Sequence, residues 1–271
     1  MTSPPKTMRA WQQHFGKPAP QLVELPVPPC PNDGLLIKVA AAGICHSDVG
    51  LLAMPGKPAD KSWPFEKYTL GHEGCGKIVQ VGSEVKDFAI GDVVSILAVP
   101  GCQASSCGEC TRDLAQICQS GERYGIGYNG SYAEYITVKS WSAIKVPEGV
   151  SPEVASVATD ACLTAYHAVV GTGGIKAGET VIIVGIGGLG FNALQIALAR
   201  GAKVIVVDKR KEILEEAVRF GIEEDDVVPA GENIVEFVKK KGLVVDTIVD
   251  FVGVPETFKA SQEAGKYLSP G

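Results

Sequence analysis

Short apolar runs separated by turn residues dominate the first 150 positions. Runs rich in Val, Ile, Leu and Ala occupy 35–43, 76–82, 92–99 and 133–138, and Gly, Pro, Asn and Asp stand between them. Frequent turn residues between short apolar runs are typical of β-structure. The pattern therefore predicts a β-rich domain of the barrel or sandwich type.

The pattern changes near residue 150. Ser151-Pro152 is a good N-cap and N1 pair, and it predicts a helix over 151–170. Beyond it, apolar strands alternate with amphipathic helices. The strands are predicted at 181–185, 203–208 and 244–253, and the helices at 191–200 and 211–221. This alternation predicts an α/β domain with a doubly wound parallel sheet.

A glycine-rich turn joins the first strand of this sheet to the first helix. Its sequence GIGGLG (185–190) satisfies G-x-G-x-x-G through Gly185, Gly187 and Gly190. The first glycine makes the tight turn, the second lets the backbone approach a pyrophosphate, and the third lets helix and strand pack closely. The predicted dinucleotide-contacting set also includes Gly188 and Leu189. The alternative is a glycine-rich turn in another kind of doubly wound protein.

An acidic residue follows the second strand of the same unit. Asp208 can accept hydrogen bonds from the adenosine ribose hydroxyls and would repel a 2′-phosphate. This position favours NAD over NADP. The neighbouring Lys209, which joins the predicted cofactor set, and Arg210 would weaken that preference.

Four of the eight cysteines are concentrated in one segment. Cys102, Cys107, Cys110 and Cys118 follow the spacing C-x4-C-x2-C-x7-C. In a reducing compartment such a cluster predicts a closed, tetrahedral, structural zinc site. The alternative is a group of free thiols.

Two further segments, GICHSD (43–48) and GHEG (71–74), supply a thiolate and an imidazole. Taken singly, a Cys or a His is more often structural than a metal ligand. These segments gain weight only from the order in which they occur with the other motifs.

Composition excludes several classes of partner. The net charge is −6, which argues against a nucleic-acid or anionic-membrane partner because either would need a basic patch. The sequence has no apolar run long enough to span a bilayer, and its N-terminus lacks the apolar core of a signal peptide. A cytoplasmic location is the default expectation.

The order of these motifs resembles that of the zinc-dependent medium-chain alcohol dehydrogenases. A Cys-His-Ser-Asp turn, a Gly-His-Glu turn, a cysteine-rich lobe and a Rossmann unit follow one another from about Arg9 to the last residue. The resemblance implies a GroES-like catalytic domain over 1–158, with a zinc lobe at 101–119. It also implies an NAD-binding Rossmann domain over 159–271. Because relatives continue from a Leu-x-Pro-Gly like the one in KYLSPG (266–271) into a fifth strand, the resemblance implies an incomplete Rossmann sheet.

The resemblance also assigns a catalytic zinc site. It implies that Cys45 and His72 are two zinc ligands and that the third lies four residues before the Thr of a T-x-Y segment, which is Asp160. Cys162, two positions further on, is the competing candidate. Glu73 would lie beside the metal as an occasional ligand, and Asp48 would orient His72.

The remaining catalytic roles follow from the same resemblance. Zinc would stabilise the alkoxide form of an alcohol, Ser47 would take the alcohol proton, and His46 would contact the cofactor pyrophosphate. Several relatives carry a relay histidine three residues after the hydroxyl group, where this chain has Gly50. Proton release is then expected to pass through water or another group.

These expectations combine into an NAD-dependent zinc oxidoreductase that acts on a small alcohol, aldehyde or ketone, with two zinc ions per chain. A homo-oligomer is compatible with the resemblance. Three alternatives stay open: a polyol or secondary-alcohol dehydrogenase of the same superfamily, a shortened relative that binds zinc with little or no turnover, and an interaction module built on the cysteine lobe.

Overall fold

The computed structural model describes residues 3–59 and 63–265, and the segment KYLSPG (266–271), with its Leu-x-Pro-Gly, lies outside them. The chain divides into two compact units, Met1–Asp160 and Ala161–Gly271.

The first unit is built mainly from β-strands. Its strands are β1 (Thr7–His14), β2 (Gln21–Pro26), β3 (Gly34–Ala42), β4 (Lys67–Thr69), β5 (Gly74–Val81), β6 (Val93–Ile96), β7 (Tyr135–Lys139) and β8 (Ala143–Lys145). Its helices are α1 (His46–Leu52) and α2 (Pro152–Val157). The strands form a three-stranded sheet in the order β2-β1-β4 and a five-stranded sheet in the order β7-β3-β5-β6-β8.

Strand alternation decides which side chains of the larger sheet are buried together. Leu35 and Ile37 of β3 lie in one apolar cluster with Ile78 of β5. Leu36, between them in sequence, packs with Met8 in a separate cluster. Successive side chains of a strand point to opposite faces, so β3 contributes to two cores. The register of β3 against β5 shifts between Val39 and Ala41, just before the loop that carries Cys45.

The second unit is a parallel sheet covered on both faces. Its strands are β9 (Thr180–Val184), β10 (Lys203–Val207), β11 (Val227–Val228) and β12 (Thr247–Asp250), in the order β11-β10-β9-β12. Its α-helices are α3 (Leu163–Tyr166), α4 (Gly188–Ala199), α5 (Lys211–Arg219), α6 (Ile234–Lys241) and α7 (Pro255–Ala264). Every strand pairing in this sheet is parallel.

The two faces of β9 enter different cores. Val181 and Ile183 pack in a cluster that includes Leu194 of α4. Ile182 packs in a second cluster that includes Phe237 of α6. Helices on both faces of a parallel sheet define a doubly wound arrangement. The predicted fold class, a β-rich unit followed by a parallel α/β sheet, is confirmed.

Several element boundaries were predicted wrongly. The strand expected over 244–253 is only β12, because the Asp250 Oδ1 atom accepts the backbone N–H groups of Val252 at 2.8 Å and Gly253 at 3.1 Å and so ends the strand in a turn. The helix expected from 191 already begins at Gly188. The segment that was interpreted as a Cys-His-Ser-Asp turn instead opens a helix, α1. The sequence pattern also did not predict β1, β2, α6 or α7.

The helical run predicted over 151–170 is not uniform. After α2 the chain adopts a π-helical segment at Ala158–Cys162, then α3, then a second π-helical segment at His167–Thr172. Wide π-turns inside helices are frequent at functional sites. The first of them contains Asp160.

Candidate metal and dinucleotide sites

Cys45 lies at the N-terminus of α1, and a hydrogen bond from its backbone N–H group holds it there. It has extended backbone angles, as an N-cap residue does, and its N–H donates to the Asp48 Oδ2 atom at 3.0 Å. Asp48 is only 4% exposed. The buried Asp48 carboxylate, three residues further on, therefore holds the backbone of Cys45 at the N-terminus of α1.

His72 and Glu73 directly precede β5 and are both buried. The Gly43 N–H donates to the Glu73 carbonyl at 2.9 Å, which ties this turn to the segment before Cys45. A Cβ atom on Gly43 would collide with the Glu73 carboxylate. Glycine at position 43 is thus what leaves room for the Glu73 side chain.

Four donor groups converge in the first unit. One donor atom from each of Cys45, His72, Glu73 and Asp160 lies within 4.8 Å of the others. His72 Nε2 is 3.5 Å from Asp160 Oδ2, and its Nδ1 is 3.3 Å from Asp48 Oδ1. A thiolate, an imidazole and carboxylates are the donor types that zinc accepts, so the set fits that metal.

Two carboxylates of this cluster are crowded together, and the imidazole of His72 lies between two carboxylate groups. Burial lowers the pKa of His72, but the neighbouring carboxylates of Asp160 and Asp48 outweigh burial and raise the pKa to about 11. The hydrogen bond with His72 lowers the pKa of Asp160 to about 2. Burial, followed by the neighbouring Asp160, raises the pKa of Glu73 to about 7. Crowded carboxylates are the electrostatic environment that a bound cation relieves.

The structure also locates the other residues that the sequence singled out near this cluster. His46 and Ser47 are exposed on the first turn of α1, and Ser47 Oγ lies 3.5 Å from Cys45 Sγ. Cys162 donates instead to Asn192 Oδ1 at 2.9 Å within the second unit. Among the described residues, the four-donor group contains Asp160 and does not contain Cys162.

Sequence reasoning missed Tyr132. Its hydroxyl group lies 2.7 Å from Asp48 Oδ2 and 2.8 Å from the Gly43 carbonyl oxygen. No local motif could have found this residue, because it is 84 positions from Asp48 in the chain.

The cysteine lobe forms a second group of donors. The thiol sulfurs of Cys102, Cys107, Cys110 and Cys118 all lie within 4.8 Å of one another. The Cys102–Cys110 separation is 3.9 Å and the Cys107–Cys118 separation is 3.7 Å. Four sulfurs bound tetrahedrally to zinc at about 2.3 Å would be about 3.8 Å apart. Both of these separations therefore match the spacing expected for a four-thiolate zinc site.

The long first gap in the cysteine spacing is absorbed by the backbone. Gln103 adopts a left-handed conformation with φ of 53°, and its side chain donates to the Pro100 carbonyl. A left-handed residue outside glycine turns the chain sharply. This turn follows Cys102 directly and lies within the enlarged gap.

The glycine-rich turn of the second unit has the geometry that its sequence predicts. Gly185 has φ of +87°, a conformation that favours glycine. A Cβ atom on Gly190 would collide with the Gly185 carbonyl oxygen, whereas a Cβ on Gly187 would meet nothing within 4 Å. Gly188 opens α4, Leu189 is half-buried, and the exposed surface at Gly187 leaves the helix N-terminus accessible.

Asp208 is engaged by the turn and by Arg210. Its Oδ2 accepts the Ile186 N–H at 2.8 Å, and the Arg210 guanidinium donates to both carboxylate oxygens at 2.9 Å. Burial raises the pKa of Asp208, but these hydrogen bonds outweigh burial and lower it to about 2. Lys209 is exposed. Asp208 is thus a fully ionised carboxylate fixed beside the glycine-rich turn.

Two family models match the chain. The model described as "Alcohol dehydrogenase GroES-like domain" matches residues 31–148, and the one described as "Zinc-binding dehydrogenase" matches residues 188–267. Most of the β-rich unit, and the parallel-sheet unit from α4 onwards, are therefore matched by models of one class of enzyme, the zinc-binding dehydrogenases.

Sequence identity with known proteins identifies the family within this class. The alcohol dehydrogenase of Geobacillus stearothermophilus is 36% identical over 248 residues, which cover 89% of this chain and 69% of that protein. The NAD-dependent alcohol dehydrogenase of Sulfurisphaera tokodaii is 33% identical over 273 residues, covering 95% of this chain and 76% of that protein. The chain belongs to the zinc-dependent medium-chain alcohol dehydrogenase family, as the motif order predicted.

Superposition on a solved structure also supports the fold. The acetophenone reductase of Geotrichum candidum, determined in complex with NAD, superposes with a TM-score of 0.81 at 30% identity. The match covers 97% of this chain and 74% of that one. In the part of this chain that the structure describes, no helix is long and apolar enough to cross a membrane.

Proposed function

We propose that this protein is a zinc-dependent oxidoreductase that transfers a hydride between NAD and a small alcohol or carbonyl substrate. The observation that carries the proposal is the convergence of Cys45, His72, Glu73 and Asp160 within 4.8 Å. The relatives named above act as alcohol dehydrogenases or as a ketone reductase, which supports the same reaction class.

Each residue of the cluster has a proposed role. Cys45, His72 and Asp160 would hold the catalytic zinc, which when bound supplies a Lewis acid that polarises the substrate oxygen. Glu73 would lie beside the metal as an occasional ligand. Asp48 would orient His72 from the Nδ1 side, where its Oδ1 atom lies at 3.3 Å, and Nε2 would then face the other donors.

Proton transfer is proposed to begin at Ser47. Its hydroxyl group is exposed next to Cys45, so its oxygen can accept the proton of an alcohol while its own O–H proton passes to water. Gly50 of α1 offers no side chain for a relay, and a Cβ atom there would meet nothing within 4 Å. His46, on the same turn as Ser47, is proposed to contact the cofactor pyrophosphate.

The cofactor is proposed to bind the second unit through its adenosine half. Gly185, Gly187, Gly188, Leu189 and Gly190 would form the pyrophosphate turn, and Asp208 would accept the ribose hydroxyl groups. Lys209 is close enough in sequence to add a charge beside that ribose.

Cofactor binding tests the proposed function without knowledge of the substrate. Titration calorimetry with the zinc-replete protein is expected to show micromolar NADH binding and weaker NADPH binding. In Asp208→Asn the NADH affinity should fall at least about tenfold, since a hydrogen bond to a charged group contributes about 1.5–3 kcal/mol. Asp225→Asn, an exposed carboxylate on the same unit, is the control. Absence of NADH binding by the wild-type protein would contradict the proposal and favour a zinc-binding relative without turnover.

The cysteine lobe is proposed to hold a second, structural zinc ion. In Cys110→Ser the zinc content is expected to fall from about two ions to about one per chain, because a closed four-thiolate site loses its metal with one ligand. Metal analysis together with thermal unfolding measures this. Cys30→Ser, at a partly buried thiol outside the lobe, is the matched control. Equal zinc content in Cys110→Ser and wild type would rule out the lobe as a zinc site.

A further inference from the structure

Tyr132 places its hydroxyl group between two acceptors beside the metal cluster. Asp48 Oδ2 lies at 2.7 Å and the Gly43 carbonyl oxygen at 2.8 Å. A phenol carries a single proton, so the two acceptors compete for one donor. The carboxylate is the shorter and charged partner, and charged acceptors form the stronger bond.

The Asp48 carboxylate is the link between Tyr132 and two of the proposed zinc ligands. Its Oδ2 also accepts the Cys45 N–H at 3.0 Å, and its Oδ1 lies 3.3 Å from His72 Nδ1. Because Asp48 is buried, its rotation is determined by these protein partners rather than by solvent. A donor that fixes Oδ2 also fixes which oxygen faces the imidazole.

Tyr132 is itself held rigidly. Its backbone N–H donates to the Leu70 carbonyl at 2.8 Å, and its carbonyl accepts the Trp11 N–H at 2.8 Å. Its ring lies against Gly71, where a Cβ atom would collide with the ring carbons. Gly71 has φ of +93° and directly precedes His72, so the phenol ring packs on the turn that presents the imidazole.

We propose that Tyr132 is a positioning residue of the metal site. Its hydroxyl group orients the Asp48 carboxylate, which in turn holds His72 with Nε2 towards Asp160 and holds the backbone of Cys45. The inference rests on the proposed function, since it concerns the same zinc site. Groups that contact a metal ligand directly typically contribute a factor of about 10–100 to metal affinity, and Tyr132, which acts through Asp48, is expected at the lower end of that range.

The experiment compares two tyrosine-to-phenylalanine substitutions in the full chain. Tyr132→Phe keeps the ring packing and removes only the hydroxyl group. Tyr124→Phe is the matched control, because this buried tyrosine also has two hydroxyl partners, Glu122 Oε2 at 2.5 Å and the Lys139 N–H at 2.8 Å. Co²⁺ is titrated into each protein against a chelator, and the absorption spectrum of the one-thiolate site is separated from that of the four-thiolate lobe by its absence in Cys45→Ser.

The expected result is a loss of Co²⁺ affinity of about tenfold at the one-thiolate site in Tyr132→Phe, with an altered ligand-field spectrum. Tyr124→Phe should retain both the affinity and the spectrum of wild type. Equal affinity and spectra in Tyr132→Phe and wild type would overturn the role of Tyr132 alone. Equal losses in both variants, tracking their thermal unfolding, would also overturn it. A wild-type chain with no Co²⁺ signal that depends on Cys45 would overturn the proposed zinc site as well.

Discussion

Replacing Cys45 by serine is expected to lower alcohol turnover by about a thousandfold and to remove one zinc ion per chain. Zinc stabilises the charge that develops on the substrate oxygen by several kcal/mol, and about 4 kcal/mol corresponds to three factors of ten in rate. Asp160→Asn should have an effect of similar size, because it removes a charged donor from the same cluster. Steady-state kinetics and metal analysis of the purified variants measure both effects.

Cys162→Ser is the matched control for this prediction. Cys162 donates to Asn192 Oδ1, and a serine hydroxyl group can make the same hydrogen bond. Turnover and zinc content are therefore expected to stay near the wild-type values. If Cys162→Ser loses the metal and Asp160→Asn keeps it, the third ligand has been assigned to the wrong residue.

Replacing two glycines of the dinucleotide turn by alanine is expected to have different effects, one on the stability of the protein and one on its affinity for NADH. Gly190→Ala should destabilise the second unit by about 3 kcal/mol, because the new methyl group would collide with the Gly185 backbone oxygen, which has no flexible side chain to move aside. The melting temperature is then expected to fall by more than about 10 °C. Gly187→Ala should keep the melting temperature of wild type and bind NADH at least about tenfold more weakly, since its methyl group meets no protein atom but occupies the approach to the pyrophosphate.

Thermal unfolding and NADH titration of the same two preparations separate these effects. Each variant serves as the control for the other, because they make the same chemical change three residues apart. Unimpaired NADH binding by Gly187→Ala would show that the pyrophosphate does not approach this turn. An unchanged melting temperature in Gly190→Ala would show that the close packing of helix and strand is not required.

The parallel sheet was predictable from local pattern because its strands are buried on both faces. β9 and β10 are continuous apolar runs, and such runs are distinctive in a sequence. β1 and β2 were missed because their exposed and buried positions alternate around polar residues in short stretches. β12 ends early because the Asp250 side chain accepts hydrogen bonds from Val252 and Gly253. The hydrophobic periodicity of the sequence does not predict these hydrogen bonds.

The metal cluster was predictable only in part. The types of donor and their order follow from short motifs, and the resemblance to the family identified Asp160. The crowding of Glu73 with the other donors depends on Gly43, which packs against it from a separate segment. The role of Tyr132 arises in the same way, since the residues that surround Asp48 come from distant parts of the chain.

The sequence by itself determined the class of fold, the glycine-rich turn, the family and the kinds of atoms available to metal and cofactor. These properties are encoded locally, through hydrophobic periodicity, glycine at positions of close backbone approach, and the spacing of cysteines within one loop. Only the tertiary structure decided that Cys162 contacts Asn192, that Arg210 engages Asp208, and that a tyrosine hydroxyl group meets the Asp48 carboxylate. Each of these depends on side chains brought together by chain folding, and the distances between such side chains are set by packing rather than by sequence spacing.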